Sequence, residues 1–241
     1  MKETIRNVGN INYISNLTDG EGTRISNDFL TRLIREFTKQ ASLYMRATDE
    51  APFVFKERQL NSILAPALSK ITDAFLMEAQ VQREWSSISS EEYNDSHGWV
   101  DYWCNYRNTV FLIELKHNFI SGKTGLLTKE IKENWNIALK QLDVIEKESK
   151  VRSESCRGVF RVALHILPLY ETVNHGDSKT IGEIERILNI QKLAMSGLDR
   201  NSNWSAMWMI HDDLTGPYEY VNTKEYYPGV LFLCNLYEIS K

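Results

Sequence analysis

Residues 98–116 of the chain, GWVDYWCNYRNTVFLIELK, contain the pattern that decides the predicted fold. Gly98–Cys104 and Thr109–Lys116 are rich in aromatic, apolar and β-branched residues, which favours two strands. The intervening Asn105–Asn108 predicts a hairpin turn of four residues. Val110–Ile113 is apolar on both faces, which is typical of a strand in the centre of a sheet.

Three charged side chains accompany these strands. Glu114 and Lys116 follow the apolar run, one step apart on the same face, and Asp101 lies in the partner strand. The predicted turn pairs Asp101 with Leu112, so Asp101 is expected diagonal to Glu114, about 7–8 Å away between backbones and on the same face. A register shift of two residues would preserve that face, whereas a shift of one residue would destroy it.

Two interpretations of these charges are open. Two converging carboxylates, together with the carbonyl of Leu115, offer hard oxygen ligands for Mg²⁺ or Mn²⁺. Such an ion activates a water and neutralises phosphate charge, while Lys116 would orient or deprotonate that water or stabilise the transition state. Alternatively, Lys116 pairs with Glu114 or Asp101 at the sheet end and has only a structural role.

The flanking sequence predicts further helices and strands around this hairpin. Asn27 and Asp28 are expected to cap a helix with apolar positions Phe29, Leu33, Phe37, Ala41 and Tyr44, after a loose lead-in with one strand at 11–14. The other expected helices span about 55–77, kinked or split by Pro66, about 128–148, and 181–195. The other expected strands span 81–88, 159–167 with Pro168 ending it, 206–210 and 230–237.

This order of elements predicts an α/β fold. Short connections among the three strands before residue 117 favour antiparallel pairing, and the helix that follows favours a parallel fourth strand. We therefore expect a mixed sheet with helices on both faces. The predicted divisions are an N-terminal lead-in and helix (1–54), a core (55–168) and a C-terminal extension packed on that core (169–241).

Asp101 followed by Glu114-Leu115-Lys116, after a helix and a strand and before a helix, resembles the motif of the PD-(D/E)XK nuclease superfamily. The resemblance covers roughly residues 55–167 and implies a restriction-endonuclease-like core, α-β-β-β-α-β, with N- and C-terminal extensions. Val100 stands where the family name has proline. The resemblance further implies a metal-facing Glu on the first core helix, for which Glu57 is the candidate, although a solvated first-turn Glu is the alternative. It also implies a Lys or Gln on the helix after the motif, for which Lys140 and Gln141 are candidates.

The resemblance implies a Mg²⁺- or Mn²⁺-dependent nuclease that hydrolyses phosphodiester bonds, with DNA as the expected substrate, in restriction, phage defence, recombination or repair. Asp101, Glu114 and the carbonyl of Leu115 would bind the metal, and Asp101, Glu114, Lys116 and Glu57 would be the catalytic residues. The alternative function is a non-catalytic, nuclease-like subunit with a structural or regulatory role.

The charge distribution bears on the expected partners. Residues 1–170 contain 22 basic and 22 acidic side chains, and residues 171–241 contain 6 and 10. A protein that holds nucleic acid by charge alone is usually basic. We therefore expect a local phosphate-binding patch and a homo-oligomer or partner subunit that adds to the DNA contacts.

Composition and apolar patterning indicate the compartment. Unbroken apolar runs reach five residues, as at Ala206–Ile210, against about 20 needed to span a bilayer. The N-terminus has no apolar signal stretch. The three cysteines form neither a disulfide framework nor a Cys-x-x-Cys site. A cytoplasmic protein without a membrane segment is the expectation.

Three other motifs favour less specific interpretations. Gly122-Lys123-Thr124 resembles the end of a phosphate-binding loop, but the required upstream glycine is replaced by His117. His211-Asp212-Asp213 has no second histidine at ligand spacing, which favours a polar strand end. The aromatic segment Tyr218–Tyr227 is a candidate for base stacking or a partner contact.

Overall fold

The computed structural model describes residues 1–17, 21–82, 97–145, 156–174, 184–219 and 223–238. Its helices are α1 (Glu21–Thr48), α2 (Glu57–Ile71), α3 (Lys129–Asp143) and α4 (Ile184–Ser196), with a short 3₁₀ helix at Asp212–Leu214. Its strands are β1 (Lys2–Ile5), β2 (Gly9–Ser15), β3 (Ala74–Gln82), β4 (His97–Tyr106), β5 (Thr109–His117), β6 (Ile120–Ser121), β7 (Gly158–Asn174), β8 (Trp204–Ile210), β9 (Tyr218–Glu219) and β10 (Thr223–Glu238).

One mixed sheet forms the centre of the protein. Its strand order is β1-β2-β8-β10-β7-β5-β4-β3, with β6 beside β7 and β9 beside β10. The pairs β3–β4 and β4–β5 are antiparallel, whereas β7 pairs parallel to β5 after the α3 crossover. The predicted α/β class with a mixed, helix-flanked sheet is confirmed.

Helices cover both faces of this sheet. The α1–α2 face buries one apolar cluster, including Phe29, Leu64 and Phe111, and the α3–α4 face buries another, including Leu112, Trp135 and Ile190. The burial of these large apolar side chains is the main stabilising contribution to the fold.

The first helix begins earlier than predicted. α1 starts at Glu21, so Asn27 and Asp28 lie inside it and do not cap it. Their side chains have tertiary partners instead: Asn27 Oδ1 accepts the Trp204 indole N–H at 2.9 Å, and Asp28 binds Arg32 and Arg107. Sequence patterns alone could not distinguish these contacts from capping.

The second helix ends earlier than predicted, and Pro66 does not split it. α2 stops at Ile71, and residues 74–77, which were assigned to its end, begin β3. The strand predicted at 81–88 is therefore displaced, and its part beyond residue 82 lies outside the described residues. The apolar run at 75–77 fits helical and extended periods equally well, which explains the error.

The hairpin turn is tighter than predicted. Only Arg107 and Asn108 form it, both with left-handed backbone angles (φ 50° and 58°), as a two-residue turn of this kind requires. Cys104 consequently pairs with Phe111 instead of Thr109. The register therefore shifts by two residues relative to the prediction, which preserves the assignment of side chains to faces.

β7 continues through Pro168 to Asn174 instead of ending there. On its β5 side, Ile166 O accepts from Asn118 N at 3.3 Å and Tyr170 O accepts from Gly122 N at 2.8 Å. Between those bonds, pairing passes from β5 to β6. The missing N–H of Pro168 falls at this interruption, so no ladder hydrogen bond is lost.

The N- and C-terminal segments extend the same sheet. β10 pairs with β7 along nearly its whole length, β8 pairs with β10, and β2 pairs with β8. In the described part of the chain, no helix is both long and apolar enough to cross a membrane.

Candidate functional site

A cleft opens where β4 and β5 separate. Their ladder ends at Tyr102 and Ile113. The next N–H of β5 on this side, that of Leu115, donates to the Asp101 carboxylate at 2.7 Å instead of to a backbone carbonyl of β4. Because the N–H and C=O of one strand residue point to the same side, the Leu115 carbonyl faces the same gap.

Helix α2 supplies one wall of this cleft. Glu57 is its first residue, and Asn61 follows one turn later on the same face. The Tyr102 hydroxyl donates to Asn61 Oδ1, which fixes that amide beside β4. Arg58 also lines the cleft and is exposed.

Strand β3 supplies the opposite wall through Met77 and Glu78. Glu78 has a left-handed backbone (φ 50°) and falls between the pairs Met77–Tyr102 and Ala79–Val100, opposite Asp101. Met77 packs toward the α1–α2 face and Ala79 toward the α3–α4 face, so the strand changes its alternation at Glu78. The resulting cleft of about 210 Å³ is lined by Glu57, Arg58, Asn61, Met77, Glu78, Asp101 and Leu115.

The electrostatics of Glu57 link it to the motif residues. Burial raises the pKa of the Glu57 carboxyl, and the Asp101 carboxylate raises it further. The Lys116 ammonium and the backbone N–H of His117 act in the opposite direction and lower the pKa of Glu57. The charges of Asp101 and Lys116 thus act on the Glu57 carboxyl in opposite directions.

The predicted site residues divide between two places. Glu57, Asp101 and Leu115 line the cleft. Glu114 does not line it: only 2% of Glu114 is exposed, and strand alternation places it with Leu112 on the α3–α4 face. Lys116 has the same parity as Glu114, is half-buried, and pairs laterally with His165 of β7.

Asp101 itself lies at a break in the alternation of β4. Val100 packs in the apolar cluster of the α3–α4 face, whereas Tyr102 packs in that of the α1–α2 face. Such an irregularity redirects a side chain, as β-bulges do. The Asp101 carboxylate thereby turns into the gap, whereas Glu114 stays buried on the α3–α4 face. A metal site shared by Asp101 and Glu114 remains a prediction.

The structure also positions the candidates on the helix after the motif. Lys140 and Gln141 lie near the C-terminal end of α3 and do not line the cleft. The α3 residues beside the end of β5 are instead Glu130 and Asn134, whose side chains bond to Asn118.

Sequence reasoning missed three polar cleft residues, Arg58, Asn61 and Glu78, and the apolar Met77. The spacing of Asn61 from Glu57 was a usable signal, because residues four apart share a helix face. Glu78 had no such signal, since its position opposite Asp101 depends on the left-handed irregularity in β3.

The donor set of the cleft suits a hard divalent cation. Its lining includes carboxylate or carbonyl oxygens of Glu57, Glu78, Asp101 and Leu115, beside the Asn61 amide and the Arg58 guanidinium. Among the residues that the structure describes, no three His, Cys, Asp or Glu side chains are grouped closely enough to hold a metal ion by themselves. Mg²⁺ commonly uses one or two carboxylates with waters and substrate phosphates, so the cleft fits this mode of binding.

The other motifs have local structural roles. Lys123 donates to the Thr172 carbonyl at 3.1 Å, and His211 accepts from Asp213 N as the cap of the 3₁₀ helix. Tyr227 is buried and contacts Phe53 edge-on. Residues 220–222 of the aromatic segment lie outside the described residues.

Comparison with protein-family models, with curated proteins and with solved structures found no match for this chain.

Proposed function

We propose that this protein is a Mg²⁺- or Mn²⁺-dependent phosphodiesterase of the restriction-endonuclease-like class that acts on DNA. The observation on which the proposal rests is the meeting of Glu57, Asp101 and the Leu115 backbone in one open cleft. Three different elements contribute these oxygen donors, which a local ion pair between strand neighbours would not require.

The order of elements around the cleft supports this proposal. Apart from the two-residue β6 between β5 and α3, the elements from α2 to β7 follow in the order helix–three strands–helix–strand. β3, β4 and β5 form an antiparallel meander, and β7 joins parallel to β5. This is the arrangement that the resemblance to the nuclease superfamily implies.

Asp101 and Glu57 would hold the metal in this mechanism, with the Leu115 carbonyl as a third oxygen donor. A bound Mg²⁺ supplies charge neutralisation on the phosphate and a water with a lowered pKa. The Asp101 carboxylate is already oriented by the Leu115 N–H, so little side-chain freedom is lost when it binds. Glu114 does not line the cleft, so any contribution of its carboxylate to metal binding would come from its buried position next to Leu115 in β5.

Two cationic side chains, Lys116 and Arg58, would act on the substrate. Lys116, which interacts electrostatically with Glu57, would orient the attacking water or stabilise charge in the transition state. Arg58 would bind a phosphate beside the scissile bond through its planar guanidinium. The balanced charge of residues 1–170 favours a second copy or partner subunit for tight DNA binding. A cytoplasmic location is part of the proposal.

One observation favours a second candidate function, a nuclease-like subunit without catalysis. The Asp101 carboxylate completes the β5 hydrogen-bond ladder, and Glu114 is buried. A carboxylate that caps a strand ladder and a second carboxylate that is buried are both compatible with a purely structural site. Under this alternative the cleft binds no metal, and the fold serves as a structural or regulatory partner.

Calorimetric Mn²⁺ titration and a plasmid-cleavage assay distinguish the two functions. We expect saturable Mn²⁺ binding and metal-dependent cleavage by the wild-type protein. Arg58→Gln should weaken DNA binding and reduce the slope of log K against log salt by about 1. Arg157→Gln, an exposed arginine at the other end of the sheet, is the matched control and should leave DNA binding unchanged. A wild-type protein that takes up no Mn²⁺ would rule out the metal-dependent function.

A further inference from the structure

A buried polar network lies under α3, on the face of the sheet that Lys116 shares. Its centre is His165 of β7, which is 0% exposed. His165 Nε2 lies 2.9 Å from Asn118 Oδ1. Asn118 Oδ1 also accepts from Asn134 Nδ2 at 2.8 Å, and Asn118 Nδ2 donates to Glu130 at 3.1 Å.

This network fixes the tautomer of His165. A Glu130 carboxylate only accepts, so it orients Asn118 with the amide nitrogen toward Glu130 and the oxygen toward His165. His165 Nε2 must then be the donor of the 2.9 Å bond. Burial lowers the pKa of His165 to about 3, so the ring is neutral and Nδ1 has a lone pair.

His165 Nδ1 is buried and has no hydrogen-bond partner within the described part of the protein. The lateral neighbours of His165 in the sheet are Lys116 on β5 and Leu233 on β10. Trp135 stacks on the ring, with centroids 6.3 Å apart and planes 13° apart, but its indole N–H donates to the Arg200 carbonyl. Of these neighbours, only Lys116 has a side-chain donor without another hydrogen bond or ion pair in the described part of the chain.

We propose that His165 is a positioning residue for Lys116: its buried Nδ1, which has no partner among the residues that the structure describes, accepts a hydrogen bond when the ammonium of the neighbouring Lys116 turns toward the imidazole. An unpaired buried acceptor is costly, which favours this contact. Lys116 would then be held between the imidazole on the α3–α4 face and Glu57 at the cleft, and its charge acts on both groups. The catalytic importance of this contact rests on the proposed function, whereas its existence does not.

Nitrogen NMR of protein labelled at its five histidines tests the contact without any activity. The His165 resonances are assigned with His165→Phe, which keeps an aromatic ring to stack on Trp135. We expect a lone-pair Nδ1 signal in the wild-type protein and a shift of that signal in Lys116→Met. Lys123→Met, whose lysine binds the Thr172 carbonyl instead, is the control and should leave the signal in place. A protonated Nδ1, or a signal that Lys116→Met does not move, would overturn the inference.

A kinetic measurement tests the positioning role separately. His165→Phe should lower kcat for cleavage by about tenfold or more, as supporting residues commonly do, with little change in KM because His165 does not touch the substrate. Equal kcat values in folded wild-type and His165→Phe proteins would refute that role. If the wild-type protein neither binds Mn²⁺ nor cuts DNA, the proposed function fails, while the NMR result still decides whether the contact exists.

Discussion

Replacing Asp101 with asparagine separates the metal-binding role of this residue from its structural role. The Asp101 carboxylate faces the cleft and also accepts the Leu115 N–H at 2.7 Å. Asparagine has nearly the same shape and retains one oxygen that can accept that bond, but it has no charge for a cation. We therefore expect Asp101→Asn to fold and to lose Mn²⁺ affinity by at least about tenfold, or about 1.4 kcal/mol.

The expected stability change follows from the same hydrogen bond. A bond to a charged acceptor contributes about 1.5–3 kcal/mol and a neutral bond about 0.5–1.5 kcal/mol, so Asp101→Asn should cost about 1 kcal/mol. Relief of repulsion with Glu57 offsets part of this loss. For a chain of this size, about 1 kcal/mol lowers Tm by about 2–4 °C. Asp101→Leu leaves the buried Leu115 N–H without its acceptor and should cost about 1–3 kcal/mol.

Asp73 offers a matched control. It accepts the backbone N–H of Arg107 at 2.8 Å, the same kind of bond outside the cleft. Asp73→Asn should change Tm modestly and leave Mn²⁺ binding unchanged. Thermal melting and calorimetric titration of the three variants check these expectations. Undiminished Mn²⁺ affinity in a folded Asp101→Asn protein would refute the assignment of Asp101 as a metal ligand.

Three further predictions test other parts of the site. Glu114→Gln should weaken Mn²⁺ binding and abolish cleavage, while Lys116→Met should abolish cleavage with unchanged or tighter Mn²⁺ binding. If both variants instead lose stability, by about 3–5 kcal/mol for a fully buried pair and by less for the half-buried Lys116, and metal binding does not change, their role is structural. The pKa of Glu57 is raised in the folded state, so the protonated carboxyl favours the fold below the unfolded-state pKa, and this contribution is lost as pH rises through the folded-state pKa. Glu57→Gln should therefore be more stable than the wild type at neutral pH but not at acid pH. A difference in urea unfolding that does not depend on pH would contradict this. Glu78→Asn should raise the free energy of unfolding, measured in urea, by about 0.5–1 kcal/mol, because asparagine tolerates the left-handed backbone better, whereas Gln80→Asn on the same strand should not stabilise.

Local patterns in the sequence were sufficient for much of the architecture. The apolar run at 110–113 predicted a central strand, and β5 is buried between β4 and β7. Short connections before residue 117 and the helix after it predicted the antiparallel and parallel pairs that form. These features depend on residue type and connection length, which a sequence contains directly.

The details of the site required the tertiary structure. Side-chain alternation assigned Asp101 and Glu114 to one face. The alternation breaks at Asp101 in β4 and at Glu78 in β3, so Asp101 turns into a gap while Glu114 remains buried. The left-handed backbone of Glu78, in the middle of a strand, depends on the contacts around it, so no local pattern predicts it. The sequence by itself thus determined the central β4–β5 hairpin and its connection through α3 to the parallel β7. Which carboxylates meet in the cleft was decided by where neighbouring strands part, because that depends on contacts between residues far apart in the chain.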